Sequence, residues 1–254
     1  MKPTPNFSVI DDYITLDTVD RLKKECISIN KCKNGERNFW YSFDREPKNI
    51  IEKYIAETVK NFEYTGESTG AEWWTRVFYE PFEDHGFHID LDVSLMDKEK
   101  ICRTPEWSFV SYLSWDGGPT VITNSSKYEN TDVFEYYPST PTVVWLSNPK
   151  PGKIICWTKP YIHGVFGGPH FYGPRVTLMF NLWKEKPLDP ECSIYILPHQ
   201  IENTSVEFSN LSISTIPVIK GNQPTDLKIK GDRNMVTVNL CEGLPAGGTY
   251  MIIT

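Results

Sequence analysis

Two periods of hydrophobic residues divide this chain. In TLDTVDRLKKECISI, residues 15–29, apolar side chains fall at 16, 19, 22, 26, 27 and 29, the spacing of a helix that buries one face. Its acids come early and its lysines late, the order that suits the helix dipole. KNIIEKYIAETVKNF, residues 48–62, keeps the period and predicts a second helix; both are expected to pack on a sheet. FSVIDDYI at 7–14 reads as a short strand ending in a turn.

From residue 71 the period shortens. AEWWTRVFYE, EWSFVSYLSW, PTVIT, PTVVWLS, KIICWT and RVTLMFNLW are rich in β-branched and aromatic residues and are punctuated by Gly, Pro and Asn. About seven short strands after two helices, with no strand–helix alternation, predict a mainly β protein, a sandwich or jelly roll flanked by helices. Beyond residue 188, SIYILP, VEFSNLSIS, LKIKG, MVTVNL and TYMIIT are again strand-like. Residues 1–188 are therefore read as the main domain and 189–254 as a β-rich C-terminal extension, either a small β unit or a continuation of the main sheets.

Composition narrows the function classes. At 254 residues the chain can bury a sizeable core without disulfides or a structural metal. A net charge of −7 argues against a long nucleic-acid groove. The six cysteines are irregularly spaced with no CxxC pair, which favours buried free thiols over a zinc knuckle. The start has no apolar leader and no segment approaches the roughly 20 apolar residues of a membrane span, so a cytoplasmic protein without membrane contact is expected. Oligomeric state is not legible.

The chemistry begins at FHIDLDV, residues 87–93. On a strand, His88 and Asp90 face the same side and aim an imidazole and a carboxylate at one point. They make two corners of a two-His, one-carboxylate triad, which holds Fe(II) and leaves positions open for substrate and oxygen. His163, after the strand of KIICWT, supplies the third corner. Arg175 and Thr177 in GPRVTLMFNLW share one strand face, and a guanidinium with a hydroxyl is what a buried carboxylate requires.

In this order, His-x-Asp, then His, then Arg-x-Thr, the chain resembles the Fe(II)/2-oxoglutarate-dependent dioxygenases, and within them the prolyl-4-hydroxylase-like branch. The resemblance spans roughly residues 7–184. VIDDYITLDTVDRLKKECI is similar to that branch's opening strand and helix, SYLSWDGGPTVI to its tyrosine-leucine strand and Gly-Gly turn, and PKPGKIICW to the turn and strand before the distal histidine. It implies a double-stranded β-helix, with His88, Asp90 and His163 as catalytic iron ligands. Arg175 and Thr177, helped by Tyr79 and Tyr112, would grip 2-oxoglutarate. The reaction implied consumes O2, releases succinate and CO2, and oxidises a C–H bond of the substrate. Asp90 is a carboxylate where halogenating relatives carry a small residue, which argues against halogenation; hydroxylation is expected first, with desaturation or ring closure left open.

The substrate is expected to be a small molecule such as an amino acid or a specialised metabolite. A protein or peptide hydroxylase is the alternative, and a non-catalytic jelly-roll binding module the second. Trp74, Arg76 and His170 are candidate substrate contacts; for Arg76 and His170 a surface role is the competing reading. Trp73 and Trp74 point to opposite faces, one into the core. His85 is read as a loop residue, and Asp92 either as a group that orients a ligand or as a solvated carboxylate at a strand end.

Overall fold

The computed structural model of the chain describes residues 7–32, 38–62, 66–79, 85–124, 143–158, 160–166, 173–189, 205–215, 218–220, 228–230, 235–237 and 249–253. Two six-stranded sheets make up a jelly roll. The first contains β1 (Phe7–Ile10), β2 (Phe39–Ser42), β3 (Gly70–Phe78), β5 (Trp107–Tyr112), β8 (Ile154–Trp157) and β10 (Arg175–Trp183), in the spatial order β1-β8-β5-β10-β3-β2. The second contains β4 (His85–His88), β6 (Thr120–Thr123), β7 (Val143–Ser147), β9 (His163–Val165), β11 (Val218–Lys220) and β14 (Thr249–Ile253), in the order β11-β14-β7-β6-β9-β4. Pairing within both is antiparallel except for β11 on β14. Strands β12 (Lys228–Lys230) and β13 (Met235–Thr237) pair separately.

Alternation along the first sheet sorts its side chains onto two faces. Val176, Leu178, Phe180 and Leu182 of β10, with Ala71, Trp73 and Val77 of β3, belong to the larger core. That core is closed by helices α1 (Leu16–Cys32) and α2 (Ile50–Asn61), which contribute Leu22, Cys26, Ile51 and Tyr54. Asn49 caps α2, its side chain accepting the Glu52 amide at 2.8 Å. The residues between, Arg175, Thr177, Met179 and Asn181 on β10 and Glu72, Trp74, Arg76 and Phe78 on β3, face the second sheet and line a cavity there. A smaller core of Val9, Val110, Tyr112, Ile122, Trp145 and Trp157 fills the rest of the space between the sheets.

Three differences from the sequence reading have physical causes. The alternating run at FHIDLDV does not continue as a strand: β4 stops at His88, and α3 (Val93–Glu99) starts after Asp92, whose side chain accepts the Leu95 amide at 3.0 Å. Asp92 is thus neither a solvated carboxylate nor a ligand-orienting group but a buried helix cap, paired with Arg103. VEFSNLSIS forms a single bridge, Phe208 with Ile14, instead of a strand; the Ser209 amide donates to the Tyr13 carbonyl, the Thr15 amide to the Glu207 carbonyl, and the Ser214 amide to Val9 of β1. Of the cysteines, Cys26 and Cys156 are buried free thiols as expected, whereas Cys102 is exposed. In the tail, β14 pairs with β7 and so joins the second main sheet, while SIYILP lies outside the described residues. Among the described residues no helix is long and apolar enough to cross a membrane.

Candidate metal centre

The second sheet brings His88 and His163 face to face. β4 and β9 are antiparallel neighbours with these two residues in register, and their rings lie 4.4 Å apart. Asp90, two residues past the end of β4, places Oδ1 3.6 Å from Nε2 of each histidine. The three donor atoms lie within 4.8 Å of one another, close enough to share one metal ion. His163 Nδ1 is 2.9 Å from the Tyr161 carbonyl, which can only accept, so Nδ1 carries a proton and Nε2 is the nitrogen left to face a metal. The Ser108 hydroxyl donates to Asp90 Oδ2 at 3.2 Å, which turns the other carboxylate oxygen toward the histidines. Burial pushes the Asp90 carboxyl up, but the facing histidines outweigh it and hold the group well below the usual carboxylate range. Two imidazole nitrogens and one carboxylate suit Fe(II) and leave other coordination positions open.

Arg175 is 2% exposed at the start of β10, beside this group in the same cavity. It donates to the Gly118 carbonyl at 2.6 Å and to Thr120 Oγ1 at 3.4 Å, and its guanidinium lies 5.8 Å from the centre of the Tyr112 ring. Burial lowers its pKa to about 10. No ion pair among the described residues neutralises it. An unpaired buried cation is costly, and five N–H donors exceed the two acceptors it meets. The spare donors and the uncompensated charge suit an anion. Gly117, at φ 90°, lets the preceding turn lie against Arg175; a Cβ there would stand 2.7 Å from Arg175 Cδ. Gly117→Ala is therefore expected to displace the guanidinium and strain the turn, lowering anion affinity about tenfold with a stability loss of about 1 kcal/mol. Parallel binding and urea titrations check it, and unchanged affinity would show that the turn does not set the cradle.

The other residues singled out from the sequence divide. Thr177, Trp74 and Arg76 line the cavity, with Thr177 opposite Arg76 and Met179 opposite Trp74 across the β3–β10 ladder. Trp73 points the other way, stacked on Phe39 at 4.2 Å. Tyr79 does not line the cavity: it follows Phe78, the last inward position of β3, and is 50% exposed. Tyr112 is fully buried, but its hydroxyl donates to the Ser147 carbonyl at 3.2 Å and its ring supports Arg175. The side chain of His85 and all of His170 lie outside the described residues.

Sequence reasoning missed the far end of the cavity. Glu72, 8% exposed, accepts from Asn38 Nδ2 at 2.7 Å and from Trp183 Nε1 at 3.1 Å, and stands opposite Asn181 in the ladder. Burial is the main cause that raises its carboxyl to about 7. Its signal in GAEWWTRVF, the β3 strand, is a lone acid at an inward position among aromatic residues. The parity shared with Trp74 and Arg76 could have found it.

No family model matches the sequence, and no curated protein matches it. Solved structures do. A Pseudomonas putida prolyl-4-hydroxylase aligns over 72% of this chain and 90% of its own at 14% identity and a TM-score of 0.47. The viral collagen prolyl hydroxylase of Paramecium bursaria Chlorella virus 1, solved as a 2-oxoglutarate complex, covers 70% of this chain and 95% of its own at 14% identity and 0.44. HygX from Streptomyces hygroscopicus, solved with nickel and 2-oxoglutarate, covers 81% of this chain and 93% of its own at 15% identity and 0.40.

Proposed function

We propose that the protein is an Fe(II)- and 2-oxoglutarate-dependent dioxygenase that hydroxylates an unactivated C–H bond of a small molecule, with O2 as oxidant and release of succinate and CO2. The observation that carries this reading is the buried, charge-unpaired Arg175 in one cavity with the His88–Asp90–His163 group. A metal site alone would serve many hydrolases. A metal site with a separate carboxylate cradle fits a dicarboxylate cosubstrate that reaches from one to the other.

In this reading His88, Asp90 and His163 hold the metal, and Arg175 with Thr177 binds the distal carboxylate of 2-oxoglutarate. Bound iron supplies the oxidative chemistry with O2; the chain binds, orients and excludes water. Ser108 and the Tyr161 carbonyl keep two ligands aimed at a common point. Val110, Met179 and Trp157 give the cavity apolar walls that keep bulk water from the reacting atoms. A cavity of about 260 Å³ has room for the cosubstrate and part of a small substrate.

Anaerobic addition of Fe(II) and 2-oxoglutarate is expected to produce the weak visible charge-transfer band of a chelated keto acid. His163→Ala, which removes one of three metal donors, is expected to abolish that band and lower metal affinity by about 100-fold. A folded wild-type protein without the band would overturn the assignment.

A further inference from the structure

The cavity is electrically two-ended. Arg175 and Arg76 stand at one end, Glu72 at the other, on two strands in exact register over on the order of 20 Å of backbone. Of the cationic end, Arg175 is accounted for by the cosubstrate. The acidic end has no role in metal or cosubstrate binding, yet it is built as a binding site would be. Asn38 and the Trp183 indole each donate one hydrogen bond to Glu72 and fix its orientation. An ionised carboxylate accepts about four hydrogen bonds, so capacity remains on the cavity side. Beside it, Asn181 is 2% exposed, lines the cavity, and its buried Oδ1 has no hydrogen-bond partner among the described residues. A buried unsatisfied acceptor is costly unless a ligand completes it. Two acceptors converge here, one of them a carboxyl group that a bound cation would hold ionised, with aromatic walls from Trp74 and Trp183.

We propose that the Glu72 end of the cavity is the substrate subsite for a primary ammonium group, with the Glu72 carboxylate as its counter-ion and Asn181 Oδ1 accepting a second N–H. The substrate class is then an amine-bearing small molecule. This rests on the reading of the cavity as an oxygenase substrate site, but its binding chemistry needs no metal. Ser108, the residue that bonds Asp90, pairs with Asn181 on the adjacent strand, so an ammonium held there would set a neighbouring carbon close to the metal centre. Glu72 and Asn181 are specificity-determining residues in this scheme; neither is a catalytic one.

The test is a ligand-observed NMR titration of the metal-free full chain at neutral pH. Amine probes are run beside analogues with a hydroxyl in place of the ammonium: putrescine beside butanediol, and glucosamine beside glucose. N-acetyl-lysine methylamide beside its norleucine counterpart tests a peptide side chain as the source. At least one amine is expected to bind roughly tenfold tighter than its neutral analogue, and Glu72→Gln to erase that preference. Asn181→Ala, a second variant in case the first is unstable, is expected to weaken the amine about threefold or more without affecting the neutral analogue. Near-ultraviolet circular dichroism verifies folding.

No preference in any pair, or a preference that survives in both variants, would overturn the proposal. A preference seen with the lysyl probe and absent from the free amines keeps the ammonium subsite and assigns its source to a peptide. Amine preference in a protein that shows no Fe(II)–2-oxoglutarate band would support the subsite while removing the oxygenase reading, so the two can fail separately.

Discussion

Arg175→Met is expected to lower 2-oxoglutarate affinity at least about 100-fold while leaving the cofactor-free protein no less stable than wild type. The two effects have opposite signs because one charge causes both. Without an anion the guanidinium sits buried with a carbonyl and a hydroxyl for company, neither of which neutralises it. Methionine removes the desolvation penalty, keeps much of the volume, and gives up the hydrogen bond to Gly118, a loss of about 1–3 kcal/mol that the relieved charge offsets. With the dicarboxylate present, the wild type gains a desolvated ion pair worth about 2–5 kcal/mol in truncation experiments and the variant does not. Urea titrations with and without 2-oxoglutarate read both effects: the cosubstrate should stabilise the wild type and leave the variant unchanged. A variant that is destabilised by several kcal/mol and still responds to the cosubstrate would show that Arg175 is structural.

The second large effect lies next to the metal group. Asp92→Ala should cost about 3 kcal/mol. Asp92 accepts from the Leu95 amide at the start of α3, from the Leu188 amide at 2.8 Å and from Arg103, and is itself 3% exposed. It ties the helix after Asp90, the loop before β5 and the segment after β10 to one carboxylate. Burial pushes this carboxyl up, but Arg103 and the two amides hold it below its usual range. Its contribution is therefore full above the ordinary carboxylate range and is lost as pH falls through the lowered native value. Asp92→Asn, which keeps an acceptor for the Leu95 amide but loses the charge and the acceptor for the Leu188 amide and Arg103, should recover only the share of the helix cap, about 1 kcal/mol. Denaturant midpoints of the metal-free protein decide the point; a loss within 0.5 kcal/mol, the range of surface substitutions, would mean that Arg103 and α3 hold without it.

These two residues also show what was legible in the sequence. Arg175 could be read because strand alternation in RVTLMFNLW is clean: every second residue enters the core, so Arg175 and Thr177 had to share the other face. His88, Asp90 and His163 were legible as residue types in order, and the sheet brings their donor atoms together. Asp92 was not, since an acid after alternating apolar residues suits a strand end as well as a helix cap, and only the bonds to Leu95, Leu188 and Arg103 distinguish them. Tyr79 was placed by its distance from His88, but strand parity turns it outward. Glu72 and Asn181 are far apart in the chain and meet only through the β3–β10 register, which a single sequence does not specify. The expectation of a strand at VEFSNLSIS failed although the segment reaches the β1 edge: its backbone bonds there are few and unevenly spaced, Ser209 to Tyr13 and Ser214 to Val9, and only Phe208 forms a bridge.

The pairing of β14 with β7 sets a constraint on biosynthesis. Residues 143–147 leave the ribosome about 100 residues before 249–253, at roughly 5–20 residues per second, so the β7 edge waits on the order of several seconds for its neighbour. During that interval a row of backbone donors and acceptors, flanked by Val144 and Leu146, is open to other chains. The same delay separates β3 from β10, whose ladder forms the floor of the cavity, which makes assembly non-local and slow. Truncated translation products should consequently aggregate through β7 rather than persist as smaller folded units, and yield of the intact chain should improve when a holdase covers the nascent sheet during that interval.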